Sequence, residues 1–193
     1  MRFLTILMLL FFSTSSLYSF AQKRFYDVKI FGSVVGAVTV EKKVLATNRS
    51  SFHFNSDAEA VLFFVKTKTH AVTNVTFENN ILVKGYVLRE KNEERQELFY
   101  TWDGSKYLVK DDGKNLVINK KISYCTANFF MQEPTNIKEV FVERFNYFVP
   151  IEHLGNGQYL TKVDGGTNLY TYKNGILQSL KSTKGVSIYM ELR

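Results

Sequence analysis

Apolar and polar residues alternate along most of the chain. At the C-terminus Val186, Ile188, Met190 and Leu192 fall on one side of an extended strand, and Ser187, Tyr189, Glu191 and Arg193 fall on the other. Near the start Tyr26, Val28 and Ile30 alternate with Asp27 and Lys29, and Val34, Gly36, Val38 and Val40 continue the pattern. Leu98, Tyr100 and Trp102 repeat it, as do Tyr107 with Val109, Leu116 with Ile118, and Leu169 with Thr171. Successive strand side chains point to opposite faces, so each run predicts a strand with one dry stripe.

Between the runs stand residues that tolerate positive φ: Gly32-Ser33, Asn79-Asn80, Asp103-Gly104, Asp112-Gly113, Asn156-Gly157, Asp164-Gly165-Gly166, Asn174-Gly175 and Lys184-Gly185. These pairs suit tight hairpins, which force neighbours in sequence to pair antiparallel. The prediction is an all-β fold, an antiparallel meander of ten or more strands. A sheet that long twists and exposes its edges, so it should curl into a β-roll or barrel; a two-sheet sandwich is the other arrangement that fits.

One stretch breaks the alternation. "ISYCTANFFMQEPTNIK", residues 122–138, packs apolar residues ahead of Pro134 and predicts a short helical or irregular crossover that ends before the proline. Phe129, Phe130 and Met131 then have two readings. They plug one mouth of the curled sheet, or, with Trp102, they wall a cavity for an acyl chain or another apolar ligand.

The first twenty-one residues read as a secretory signal: Arg2, an apolar stretch from Phe3 to Phe12, the polar run Ser13 to Ser16, and small residues at Ser19 and Ala21 before Gln22. The apolar stretch is shorter than the ~20 residues of a membrane span. Residues 22–193 are then expected to form a single exported domain with no span after cleavage, in the periplasm or the medium. One cysteine, Cys125, makes no internal disulfide, so the core must hold the fold.

The chain has 25 basic and 18 acidic residues, a formal charge of +7. The lysines are spread along it, often near strand ends, where they guard sheet edges, and this scatter together with export argues against a nucleic-acid partner. The nearest approach to a chemical motif is "TWDGSKYLVKDDGKNLVINKK", residues 101–121. A calcium loop needs a glycine sixth and a glutamate twelfth. Counting from Asp103 puts Leu108 sixth, and counting from Asp111 puts Gly113 third, so neither frame fits and the stretch reads as two adjacent hairpins.

His53 with Asp57 and Glu59 is the densest set of metal-ligand types, but His53 sits between Phe52 and Phe54 and should point away from their face. Glu133, Glu139 and Glu143 lie near the irregular stretch and read as solvated strand-face residues. No Gly-x-Ser-x-Gly elbow or phosphate loop occurs. No cofactor or metal is expected, no catalytic residue is assigned, and the partners that fit are an apolar small molecule or an envelope protein.

The chain resembles a family of exported proteins, chiefly from Bacteroidota, described only as a domain of unknown function and similar to families that form a spiral antiparallel β-roll. The resemblance rests on the signal followed by "YDVKIFGSVVGAVTV", on "NFFMQEP", and on "NGQYLTKVDGGTNLYTYKNGILQSL". It implies the fold and the compartment and carries no catalytic residues with it.

Overall fold

The computed structural model describes residues 21–62 and 64–193, so the predicted signal lies almost wholly outside the described residues. Fifteen strands and one turn of helix make up the described chain. The first eight strands run β1 Ala21–Ile30, β2 Ser33–Ala46, β3 Arg49–Leu62, β4 Val65–Glu78, β5 Ile81–Lys91, β6 Glu94–Trp102, β7 Tyr107–Asp111 and β8 Lys114–Ile118. The helix α1, Thr126–Phe129, follows. Then come β9 Glu139–Val142, β10 Tyr147–Pro150, β11 Glu152–Gly155, β12 Gln158–Val163, β13 Gly166–Lys173, β14 Ile176–Lys184 and β15 Val186–Leu192.

Thirteen strands form one antiparallel sheet in the order β11-β12-β13-β14-β15-β1-β2-β3-β4-β5-β6-β7-β8, and β9 and β10 pair separately. The all-β architecture is the one predicted, and residues 122–138 form the irregular crossover around α1. The meander has one break that hairpin logic alone does not supply: β15 returns beside β1, with Tyr26 opposite Leu192 and Ile30 opposite Ile188. The first and last strands thus sit in the middle of the sheet. Its two edges, β8 and β11, are not paired with each other, and the sheet curls without closing.

The turns show why these residues form these elements. Asp112-Gly113, Asn156-Gly157, Asp164-Gly165 and Asn174-Gly175 all place both central residues at positive φ, as the twist of a two-residue hairpin demands. In the Asp103 turn the carboxylate accepts hydrogen bonds from the backbone N–H groups of Ser105 (2.8 Å) and Lys106 (2.9 Å). The Asp112 carboxylate accepts one from the N–H of Glu97 (2.8 Å). Residues 101–121 are therefore sheet punctuation.

Two expectations need correction. The first turn is centred on Phe31-Gly32, one residue earlier than the Gly32-Ser33 expected. On β13 the inward stripe is Tyr170 and Tyr172, both buried, while Leu169 and Thr171 are only half-buried. Tyrosine wins that face because its ring fills the core, and the Tyr172 hydroxyl finds a carbonyl inside.

The core lies on the concave face and is centred on the crossover. Tyr26, Val38, Val40, Leu82, Leu98, Tyr100, Tyr107 and Leu177 reach it from the sheet, and Ile122, Phe129 and Phe141 from the segment inside. Gly85 is needed here: a β-carbon would stand 3.1 Å from the ring of Tyr100, its cross-strand partner. A bare backbone on β5 lets that ring lie flat against the sheet.

Candidate functional site: a tethered interior and an apolar rim

Two places depart from ordinary strand chemistry. The first is the interior. Five tyrosines from five strands of the large sheet turn their hydroxyls onto the segment between β8 and β10. Tyr26 donates to the carbonyl of Phe130 (3.2 Å) and Tyr172 to that of Phe129 (2.6 Å). Tyr159 donates to the carboxylate of Glu133 (2.9 Å), Tyr100 to the side-chain oxygen of Asn146 (2.5 Å), and Tyr107 accepts from the N–H of Ile122 (3.1 Å). Arg24 adds a charged donor to the Phe130 carbonyl (2.7 Å). A buried irregular segment must satisfy its backbone somewhere, and here the sheet does it.

Burial holds these phenols neutral. Desolvation raises Tyr172, Tyr124 and Tyr100 well above the ordinary tyrosine range. Tyr159 is pushed up to about 12, by desolvation first and then by its bond to Glu133.

The helix start is held from outside. Glu143, which follows β9, is 1% exposed, contrary to the solvated position expected from sequence. Its carboxylate accepts hydrogen bonds from the N–H groups of Thr126 (3.0 Å) and Ala127 (3.1 Å) and from the Thr126 hydroxyl. Asn128 returns its side-chain oxygen to the N–H of Cys125 (2.8 Å). A carboxylate belongs at a helix N-terminus, where unpaired N–H groups converge. The Cys125 thiol is fully buried, and desolvation followed by Glu143 pushes it well above its usual range, so it stays protonated. Of the other two glutamates, Glu133 receives Tyr159 and Glu139 pairs with Lys120 (2.5 Å).

The residues predicted to line a ligand cavity are packed as follows. Phe129 is fully buried, stacked on Tyr170 at 4.0 Å and edge-on to Tyr124 at 5.3 Å. Phe130 meets Phe54 at 5.1 Å and Tyr26 at 5.4 Å, and Met131 is buried beside them. Trp102, half-buried, lies against Tyr107 at 4.7 Å at the end of β6. The hollow beside Phe130, lined by Phe54, Thr73, Thr126 and Ala127, measures about 70 Å³. Ligand pockets run to ~300 Å³ and more, so this space suits a water or two.

His53, Asp57 and Glu59 share the outer face but find separate partners: Asn74 (2.5 Å), His70 (2.7 Å), and Lys66 with Lys68 (2.6 and 3.0 Å). Among the described residues no three histidine, cysteine or acidic side chains are placed to hold a metal ion. Nor is any helix there long and apolar enough to cross a membrane.

The second place is a rim. In β3 and β4 the rungs from Ala60–Thr67 to Leu62–Val65 pair only with each other, because β2 joins β3 no further than Gly36–Ala58, β5 joins β4 from Thr69–Lys91, and the Lys68 backbone is closed by Asn92. Three rungs project about 10 Å beyond these pairings at ~3.4 Å per residue. At the tip Val61 is 65% exposed, Val65 61% and Phe64 102%. The same registers bring the β1–β2 turn to this end, about two strand spacings or ~10 Å away, with Phe31 and Val34 exposed as well. An open groove of about 440 Å³, lined by Val35, Asp57, Glu59, Lys68, His70 and Glu90 among others, runs along the base of the ribbon.

Both rim phenylalanines have positive φ, +50° at Phe31 and +69° at Phe64. Of the eleven non-glycine residues with positive φ among the described residues, the other nine are Asn or Asp. Asparagine fits this backbone region, and a bulky ring strains it. The sequence does not announce this pair, because turns are marked there by Asn, Asp and Gly and a phenylalanine carries no such mark.

No curated protein matches the chain in sequence. A solved structure, a β-barrel-like protein of a domain of unknown function, DUF1849, from Brucella abortus, is similar with a TM-score of 0.57 at 12% identity. The match covers 89% of this chain and 95% of that one, and at this identity it concerns the fold alone. The sequence pattern of a second family matches residues 26–193, nearly the whole of the described chain, and the protein belongs to that family, the domain of unknown function DUF6134.

Proposed function

We propose that this chain is a non-enzymatic exported domain that attaches to the lipid surface of the cell envelope by its rim, with Phe31 and Phe64 as the inserting groups. One observation carries the reading: two exposed phenylalanines occupy backbone positions that disfavour them, at neighbouring turns on one end of the sheet. Strain at exposed positions gathers where a surface is used.

Local chemistry supports a bilayer over a flat protein face. The apolar groups are carried on the narrow ends of hairpins, a shape that enters an interface tip first. Behind them Lys66 and Lys68 share the single carboxylate of Glu59, which leaves one positive charge at the level of lipid headgroups. The whole chain is basic, at +7, and favours an anionic surface. The crowded packing around Phe129 and Phe130 favours attachment by the rim over uptake of an apolar ligand into the core.

Co-sedimentation of the purified protein with phosphatidylglycerol–phosphatidylethanolamine vesicles tests this. Wild-type protein is expected in the pellet, and the Phe31→Asn, Phe64→Asn double variant in the supernatant, with at least a tenfold loss of partitioning. Wild-type protein that stays in the supernatant, or a double variant that sediments equally, overturns the reading in favour of a protein partner or none.

A further inference from the structure

The β9–β10 turn carries an arginine, Arg144, that forms no ion pair among the described residues. The turn is pinned to the concave face: Asn146 donates to the Asp111 carboxylate (3.0 Å), and the single Tyr100 hydroxyl hydrogen is shared between the Asn146 side-chain oxygen (2.5 Å) and the carbonyl of Glu143. This fixes Arg144 above β5 to β7. Its guanidinium lies over the Phe145 ring at 4.6 Å, and its Nε is buried without a hydrogen-bond partner.

Arg89 comes to the same place from the sheet. It shares the concave face with Ala71 on β4 and Gln96 on β6, and Gln96 donates to the other oxygen of Asp111 (3.2 Å). Asp111 thus ties together the cross-strand neighbour of Arg89 and the turn that holds Arg144. Its oxygens are engaged by amides, not by either guanidinium. The remaining acids nearby are Glu94 on β6 and Asp164 in the β12–β13 turn. Asp164 is ion-paired with Lys184, and neither Glu94 nor Asp164 forms an ion pair with Arg89 or Arg144.

The two guanidinium groups repel each other, and the half-buried setting of Arg144 weakens the screening that water would provide. Burial, and then the charge of Arg89, lower the Arg144 pKa from its ordinary value. An oxyanion with two or more free oxygens relieves both problems, since it accepts paired N–H bonds from the forks and supplies the missing partner for the buried Nε.

We propose that Arg89 and Arg144 form an oxyanion site on the concave face, between β5 and the β9–β10 turn, that takes a phosphate or carboxylate group. The site is independent of the rim and stands or falls separately. A free anion and the headgroup of an amphiphile present the same chemistry to it, and the two probes below separate them.

Isothermal titration and thermal unfolding of the purified protein with inorganic phosphate, at constant ionic strength set by chloride, test the site. Dodecyl phosphate below its micelle concentration is the second probe. Saturable binding with a rise in Tm is expected for at least one of them, and Arg89→Gln and Arg144→Gln each reduce the affinity at least tenfold. Arg89→Lys keeps the charge without the fork and loses part of the binding, which separates a built site from general attraction to a basic protein. A comparable affinity for both probes identifies a free anion as sufficient, and binding of dodecyl phosphate alone identifies an amphiphile. If Arg144→Gln does not fold, Arg89→Gln carries the test. Phosphate and dodecyl phosphate that act no differently from chloride, or that bind both glutamine variants as wild type, overturn the proposal.

Discussion

The interior around α1 and the rim at Phe31 and Phe64 solve opposite problems with the same residue class. Inside, aromatic rings are surrounded and their polar tips are matched: Phe129 stacks on Tyr170, and the hydroxyl of Tyr172 closes the carbonyl that Phe129 leaves open. At the rim, aromatic rings are presented to solvent on strained turns, and none of the described residues covers them. A phenylalanine that stabilises the fold at one place burdens it at the other, so the two places should respond to substitution with opposite signs.

The largest effect is expected at Phe129. Removing a fully enclosed ring leaves a cavity beneath Tyr170 and Tyr124, and Phe129→Ala should lower stability by about 4 kcal/mol in a denaturant titration. A loss under 1 kcal/mol would mean that the crossover is loosely seated and that the contrast with the rim is false.

Glu143 comes next. Glu143→Ala orphans two backbone N–H groups and a hydroxyl at the start of α1, a loss of about 3 kcal/mol. Glu143→Gln keeps one acceptor and should lose less. Equal losses would show that the site needs a charge and not only an acceptor.

How much of this was legible in the sequence follows from the range of the interactions. Hairpins are local, so Asp112-Gly113 and Asn174-Gly175 announce themselves, and so does the crossover through its loss of alternation. The turns at Phe31 and Phe64 are local as well, yet a phenylalanine in a left-handed position carries no turn signal. The pairing of β1 with β15 joins residues more than 150 positions apart, and no periodicity encodes it. Glu143 was misread for a similar reason: its partners belong to a helix start 16 and 17 residues upstream, visible only once β9 lies against it. Tyrosine was legible as core material, but which tyrosine meets which carbonyl was not.

The tyrosine tethers give a smaller effect and a pH signature. Tyr172→Phe should lose about 1 kcal/mol, the net contribution of a buried hydrogen bond. Tyr159 titrates near 10 in the unfolded chain and at about 12 in the folded one, so its contribution is complete below pH 10 and is lost as the pH climbs from there toward 12. Melting temperature should therefore fall across that interval, and the fall should be shallower in Tyr159→Phe. An equal fall in that variant would show that the Tyr159 hydroxyl is wet and contributes nothing there.

The smallest effect should have the opposite sign. Phe64→Asn places at +69° a residue that accepts that backbone, and it removes a ring that contributes no burial. The variant should be more stable than wild type by about 0.5 kcal/mol, and Phe31→Asn should behave alike. The sign matters more than the size, because a stabilising substitution that also abolishes vesicle binding separates use from folding in one residue. Destabilisation instead would place the ring among the groups that hold the ribbon together, and the rim would then be an outlying piece of core.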